Sequence, residues 1–262
     1  LLSGSQIGND DAMSLTSRPL SHALGAEIQG VDLAKPLSNS EFDQIHSKFL
    51  ESGILLFRRQ KITREQHIAF SRRFGDLETT QGHIGNNFQV KHVSEISNLD
   101  PQGRLMASDD PRIQYRLGQR NWHSDSSFKR VPAKASLLHA RILPPDGGNT
   151  QFASMRAAWD ALPEAMKTLL DGRVAEHSIW TSRAKLGGYV PTPQELKARP
   201  PARHPLVRVH PDNGRRYLYL NPVRMETIIG MPDDEALALI AELMTHATQP
   251  KYEYRHRWEY GD

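Results

Sequence analysis

The chain of 262 residues contains no cysteine. This absence excludes disulfide bonds, a thiolate nucleophile, iron–sulfur clusters and zinc sites built on thiolates. Any metal ion that the protein holds must therefore be bound by histidine and carboxylate side chains.

Long apolar runs and an excess of one charge are also missing. No segment approaches the roughly 20 apolar residues that a membrane-spanning helix needs, and no segment has the pattern of a secretory signal peptide. The 33 basic and 30 acidic residues leave a net charge of +3 and are interspersed along the chain. We therefore expect a cytoplasmic protein without a membrane or nucleic-acid partner, and the charge is compatible with a small anionic substrate.

The length and the 38% content of hydrophobic residues suit a single domain, since β barrels of this size often form one unit. We assign that domain to residues 13–262. Residues 1–12 contain Ser-Gly-Ser and Asn-Asp-Asp, which is unlike the beginning of a folded domain, and Met13 is a candidate initiator. We therefore interpret residues 1–12 as a leader that is not native.

Hydrophobic periodicity and turn residues predict short strands with a few helices between them. The predicted strands are residues 25–31, 53–57, 88–97, 121–128, 135–143, 150–152, 204–210, 216–220 and 251–258. The predicted helices are residues 41–51, 63–75, 155–170 with a break at Leu162-Pro163, and 233–246. Residues 187–205 and most of 79–119 are predicted loops, and long polar loops on a β scaffold usually carry substrate contacts.

The segment Asn-Trp-His-Ser-Asp-Ser-Ser-Phe at residues 121–128 is the most informative one. Alternate side chains of an extended strand face the same side, so His123 and Asp125 would face one metal ion. With one further histidine they would form the facial triad typical of iron(II) oxygenases, which leaves coordination positions open. The alternative is that the two side chains only hydrogen-bond each other. Ser127 falls on the same side and is a candidate substrate contact.

Several further segments occur in a recognisable order over nearly the whole chain. They are WHSDSSF (122–128), PPDGGNTQF (144–152), MRAAWDALP (155–163), HPLVRVHPDNGRRYLYL (204–220) and HATQPKYEYRHRW (246–258). Together they resemble the taurine dioxygenase family of iron(II)- and 2-oxoglutarate-dependent oxygenases, and most closely its 2,4-dichlorophenoxyacetate dioxygenase branch.

The resemblance implies a mainly β fold with outer helices, in which the strands form a double-stranded β-helix or jelly-roll barrel. It implies that His123 and Asp125 are the first two iron ligands and that Thr150 contacts 2-oxoglutarate. Without the resemblance, Thr150 is only a β-branched residue that opens a strand. The cofactor is then Fe(II), the cosubstrates are 2-oxoglutarate and O₂, and a homo-oligomer is expected.

The substrate class that the resemblance implies depends on two loop residues. His83 lies where the phenoxyacetate branch has a lysine and the taurine branch has a histidine. Arg104 lies where the phenoxyacetate branch has another basic residue, and a guanidinium suits a carboxylate or sulfonate; a solvated loop arginine is the alternative. We expect hydroxylation of an aryloxyalkanoate with ether cleavage to a phenol and a keto acid, with an alkylsulfonate or taurine dioxygenase as the alternative.

In the family, the sequence continues after the counterpart of Gly261-Asp262 into a strand. That strand carries the third iron ligand, a histidine, and an arginine that binds 2-oxoglutarate. We therefore expect both residues beyond the sequence given, and a chain that lacks its C-terminal strand. Two remoter hypotheses are a zinc hydrolase that uses His123 and Asp125, and a jelly-roll binding protein without catalytic activity.

Overall fold

The N-terminal part of the chain forms a small sheet with two helices beside it. In the computed structural model, which describes residues 15–78, 92–110, 113 and 120–262, strand β1 (Thr16–Pro19) pairs antiparallel with β2 (Ala26–Gln29). Strand β2 pairs parallel with β3 (Leu55–Phe57). Helix α1 (Asn39–Ser52) connects β2 to β3, and α2 (Arg64–Arg72) follows.

Local capping residues define where these two helices begin. The Ser38 side chain accepts a hydrogen bond from the backbone of Glu41, whose carboxylate accepts one from the backbone of Ser38 in return. Thr63 and Gln66 form the same reciprocal pair at α2. These pairs satisfy backbone N–H groups that the first turn leaves unpaired. Both predicted helices are present, and α1 begins two residues before its predicted start.

The C-terminal part contains most of the strands and helices. The strands are β4 (Thr150–Ala153), β5 (Val174–His177), β6 (Ala202–Pro205), β7 (Val207–Val209), β8 (Arg216–Leu218), β9 (Met225–Ile228) and β10 (Glu253–His256). The helices are α3 (Met155–Asp160), α4 (Glu164–Leu170), α5 (Ile179–Gly187), α6 (Pro193–Ala198) and α7 (Asp233–Ala247), with a 3₁₀ turn at Pro250–Tyr252. Strand β10 pairs with β4, β5 lies between β6 and β9, and β7 forms a hairpin with β8.

The main hydrophobic core lies between α7, α3 and the strands β5, β8 and β9. Leu218, Met225 and Leu243 are completely buried in it. A second core joins α1 and α2 to the N-terminal sheet around Ile45 and Phe70. None of the described helices is long and apolar enough to cross a membrane.

Several predicted elements differ from the structure. Residues 92–97 and 135–143 were predicted as strands and are not strands. In contrast, the break predicted at Leu162-Pro163 is confirmed, because it separates α3 from α4. Helix α6 lies in the segment predicted as a loop, and β1, β5, α5 and β9 were not predicted. The described residues do form short strands with helices around them, but their four small sheets do not close into a barrel.

His177, in β5, is an unusual buried group. Its side chain is completely buried, with the Tyr219 ring stacked on it at 5.3 Å and the His204 ring edge-on at 5.2 Å. Neither ring nitrogen has a hydrogen-bond partner within the described ranges. Burial lowers the pKa of His177 to about 3, so the ring is neutral in the folded protein at neutral pH.

We expect His177 to make the protein less stable in mild acid. An unfolded histidine titrates near 6.5 and the folded one near 3, so the unfolded chain binds a proton first and stability falls as the pH drops below about 6.5. Between about pH 7.5 and pH 5, linkage gives a loss of about 2 kcal/mol from this residue. His177→Phe keeps a flat ring and should remove that loss.

Urea unfolding at both pH values measures the difference. Exposed His22 offers a matched control, because His22→Asn should lose as much stability as the wild type. If His177→Phe is as acid-sensitive as the wild type, the buried neutral ring is not the cause.

Candidate metal centre

His123 and Asp125 lie together at the start of a turn. The prediction of one continuous strand from residue 121 to 128 is wrong, because residues 122–124 lie outside any strand and residues 125–128 form a turn. The two side chains nevertheless face each other, with His123 Nε2 3.5 Å from Asp125 Oδ1.

Hydrogen bonds orient both groups. His123 Nδ1 lies 2.8 Å from the Asn121 carbonyl, which can only accept, so Nδ1 carries a proton and Nε2 is the nitrogen left for a metal ion. Ser136 Oγ donates to Asp125 Oδ2 at 2.6 Å. One carboxylate oxygen is thus held from behind while the other points towards His123.

Each group shifts the pKa of the other. The hydrogen bond to Asp125 raises the pKa of His123, and the same bond lowers the pKa of Asp125. The nearby positive charge of Arg224 partly opposes the rise in the pKa of His123 and adds to the fall in the pKa of Asp125. A carboxylate that stays ionised and an imidazole whose Nε2 proton a metal can displace are suitable ligands.

The donor set fits a divalent ion of the iron type. Two neighbouring ligands of an octahedral ion with bonds of about 2.1 Å lie roughly 3 Å apart, close to the distance between His123 and Asp125. The described part of the chain contains no group of three or more metal-binding side chains. The Nε2 atoms of His204, His246 and His256 are already within hydrogen-bond distance of other protein atoms.

Thr150 is the first residue of β4 and lies opposite His256 of β10. Its Oγ1 accepts a hydrogen bond from Trp258 Nε1 at 2.9 Å. The hydroxyl proton is then available for an anionic oxygen, which suits a carboxylate ligand. The sequence analysis did not assign Trp258 a role.

The three candidate substrate contacts have different outcomes. Ser127 is completely buried, and its Oγ accepts from Asn221 Nδ2 at 2.8 Å. The turn therefore takes its side chain into the interior, and its role as a substrate contact stays a prediction. Arg104 is exposed just after a turn, and its Nε donates to Asp100 Oδ2 at 2.9 Å. His83 lies outside the described residues.

Arg224 and Asn221 are near the site but were missed by the sequence analysis. The Arg224 guanidinium lies 4.7 Å from the centre of the Phe128 ring, and its Nη1 donates to Ser182 Oγ at 3.1 Å. Both residues follow β8, about a hundred positions from His123 and Asp125 in the sequence. No local spacing indicates such a contact.

Comparisons with known proteins agree about the relatives of this chain. The family model described as "Taurine catabolism dioxygenase TauD, TfdA family" matches residues 16–262. The alpha-ketoglutarate-dependent 2,4-dichlorophenoxyacetate dioxygenase of Cupriavidus pinatubonensis is 38% identical over 255 residues, which cover 95% of this chain and 88% of that protein. The (S)-phenoxypropionate/alpha-ketoglutarate-dioxygenase of Sphingobium herbicidovorans is 35% identical over 252 residues, covering 93% and 83%.

A solved structure is similar over the same length. The crystal structure of AAD-2 in complex with Mn(II) and N-oxalylglycine matches with a TM-score of 0.86 and 38% identity, over 95% of this chain and 86% of that one.

Proposed function

The chain belongs to the TauD/TfdA family of dioxygenases, and on that premise we propose that it is an Fe(II)- and 2-oxoglutarate-dependent dioxygenase acting on an aryloxyalkanoate. The observation that carries the proposal is the 38% identity to a 2,4-dichlorophenoxyacetate dioxygenase over 95% of the chain. The similarity to a phenoxypropionate dioxygenase supports the same substrate class. Membership in this family argues against the zinc hydrolase and against the binding protein without activity.

The proposal extends to the fold. The likeness to the AAD-2 structure supports a jelly-roll barrel with outer helices, of which the four sheets of the described residues would be parts. Residues 13–262 would form one such domain, as the sequence indicates. The homo-oligomer and the cytoplasmic location stay predictions.

In this proposal, His123 and Asp125 hold the iron. The Asn121 carbonyl keeps the His123 proton on Nδ1, and Ser136 holds the far oxygen of Asp125. Thr150 donates its hydroxyl proton to 2-oxoglutarate, because Trp258 already occupies an acceptor position of the same oxygen. When bound, Fe(II) and 2-oxoglutarate supply the activation of O₂ that hydroxylates the carbon next to the ether oxygen. The hydroxylated ether then separates into a phenol and a keto acid.

Cationic side chains would bind the carboxylate of the substrate. His83 and Arg104 remain our candidates from the sequence. Arg104 would share or leave Asp100 to do so, and an exposed ion pair of this kind holds it only weakly.

A substrate panel tests the proposal. Phenoxyacetate, the two phenoxypropionate enantiomers, taurine and a long alkylsulfonate would be incubated with the full-length protein, Fe(II), 2-oxoglutarate and O₂. We expect succinate and a phenol from at least one aryloxyalkanoate, and little turnover of taurine. Turnover confined to the sulfonates would contradict the substrate class and leave the dioxygenase assignment intact. Absence of succinate with every substrate would count against the proposed activity on both classes.

A further inference from the structure

The turn that carries the two candidate ligands has a strained backbone. Ser126, directly after Asp125, has a φ of 55°, in the left-handed region that residues with a Cβ rarely adopt. Such a conformation costs free energy and persists only where surrounding contacts impose it. Contacts from other parts of the chain must therefore hold the turn.

Asn221 supplies the first set of these contacts. Its side chain is completely buried just after β8. The Nδ2 atom donates to the Ser124 carbonyl at 2.8 Å and to Ser127 Oγ at 2.8 Å. Ser124 Oγ donates in turn to the Leu220 carbonyl at 3.1 Å. One amide group thus holds the chain on both sides of Ser126.

His204 of β6 supplies the second set. Its Nε2 lies 2.9 Å from the Ser127 carbonyl and 3.0 Å from the Lys129 carbonyl. Carbonyl oxygens only accept, so Nε2 carries a proton and donates to both. Burial lowers the pKa of His204, which keeps the ring neutral with its single proton on this nitrogen. The end of the turn is therefore fixed to the sheet of β5, β6 and β9.

We propose that Asn221 and His204 are positioning residues of the metal centre. By holding the strained turn, they keep His123 Nε2 and Asp125 Oδ1 facing each other before a metal ion binds. Both act through the backbone and side chains of the turn. The inference rests on the proposed function, because it takes His123 and Asp125 as the metal ligands. Residues that orient metal ligands without contacting the metal contribute strongly to metal affinity.

Binding of Mn(II) to the full-length protein, followed by the EPR signal of the free ion, tests this inference. Asn221→Asp has the same shape but turns an acceptor towards the Ser124 carbonyl, and it should weaken Mn(II) binding about 10- to 100-fold. His204→Leu removes the shared donor and should act in the same direction. His204→Gln has an amide that can donate to the same carbonyls, and it should bind Mn(II) better than His204→Leu.

Gln60→Leu is the matched control. Gln60 also joins distant loops, by donating to the Val31 and Arg58 carbonyls and accepting from the Leu33 backbone, but it does not contact the turn. It should lower the melting temperature and leave the Mn(II) affinity within about twofold. If Asn221→Asp does not fold, the two His204 variants still test whether contacts to the turn support Mn(II) affinity. Neither of them introduces a charge.

Three results would overturn the inference. Wild-type Mn(II) affinity in folded His204→Leu would show that the turn needs no support from His204. Equal weakening by Gln60→Leu would show a general effect of lost stability. Failure of the wild-type protein to bind Mn(II) at all would overturn the metal centre itself, and this inference with it.

Discussion

His123→Ala should abolish 2-oxoglutarate-dependent O₂ uptake. The substitution removes one of the two candidate metal ligands that the described structure brings together, and it leaves Asp125 without its imidazole partner. We expect the rate to fall about 1,000-fold or more, which corresponds to about 4 kcal/mol of transition-state stabilisation. Asp125→Ala should have an effect of the same size, because in the proposed function the loss of either residue weakens metal binding.

The O₂ electrode and Mn(II) binding measure the two consequences separately. His210→Ala is a suitable control, because His210 lies at the hairpin turn between β7 and β8, where its Nδ1 accepts from the Asp212 backbone. The His210→Ala protein should keep the wild-type rate of O₂ uptake and the wild-type affinity for Mn(II). Uptake in His123→Ala within tenfold of the wild type would mean that His123 is not a ligand.

Local sequence signals predicted helices better than strands. The caps at Ser38 and Thr63 involve residues three positions apart, so the sequence contains the whole interaction. A strand needs a partner from elsewhere in the chain, and alternation alone does not supply one. Residues 135–143 were predicted as a strand but form none, whereas β5, with the polar Glu176 and His177 in its short span, was missed.

The same distinction applies to the candidate site. The sequence predicted that His123 and Asp125 lie together, and the structure does place them together, although they lie at the start of a turn and not in a strand. Their role as ligands stays a prediction. Ser127 was misplaced because the positive φ of Ser126 ends the alternation of side chains. The contacts of Asn221 with the turn span 94 and 97 positions in the sequence, so no local pattern could have shown them.

Leu218→Ala should destabilise the protein by about 2–5 kcal/mol. Leu218 is the last residue of β8 and is completely buried in the main core. Truncation to alanine loses buried apolar surface and leaves a cavity that the surrounding side chains fill only in part. Because β8 leads directly to Asn221, the same change should loosen the support of the turn that carries the two candidate ligands.

Leu237→Ala is the matched control, because Leu237 lies in α7 with 47% of its surface exposed. Alanine favours helix, so the control should change stability by less than about 0.5 kcal/mol. Urea unfolding gives both free energies, and Mn(II) binding at a low temperature, where Leu218→Ala remains folded, tests the link to the turn. A loss below about 1 kcal/mol in Leu218→Ala would mean that the core closes around the shorter side chain. Unchanged Mn(II) affinity despite a large loss of stability would mean that Asn221 keeps its position without the packing of β8.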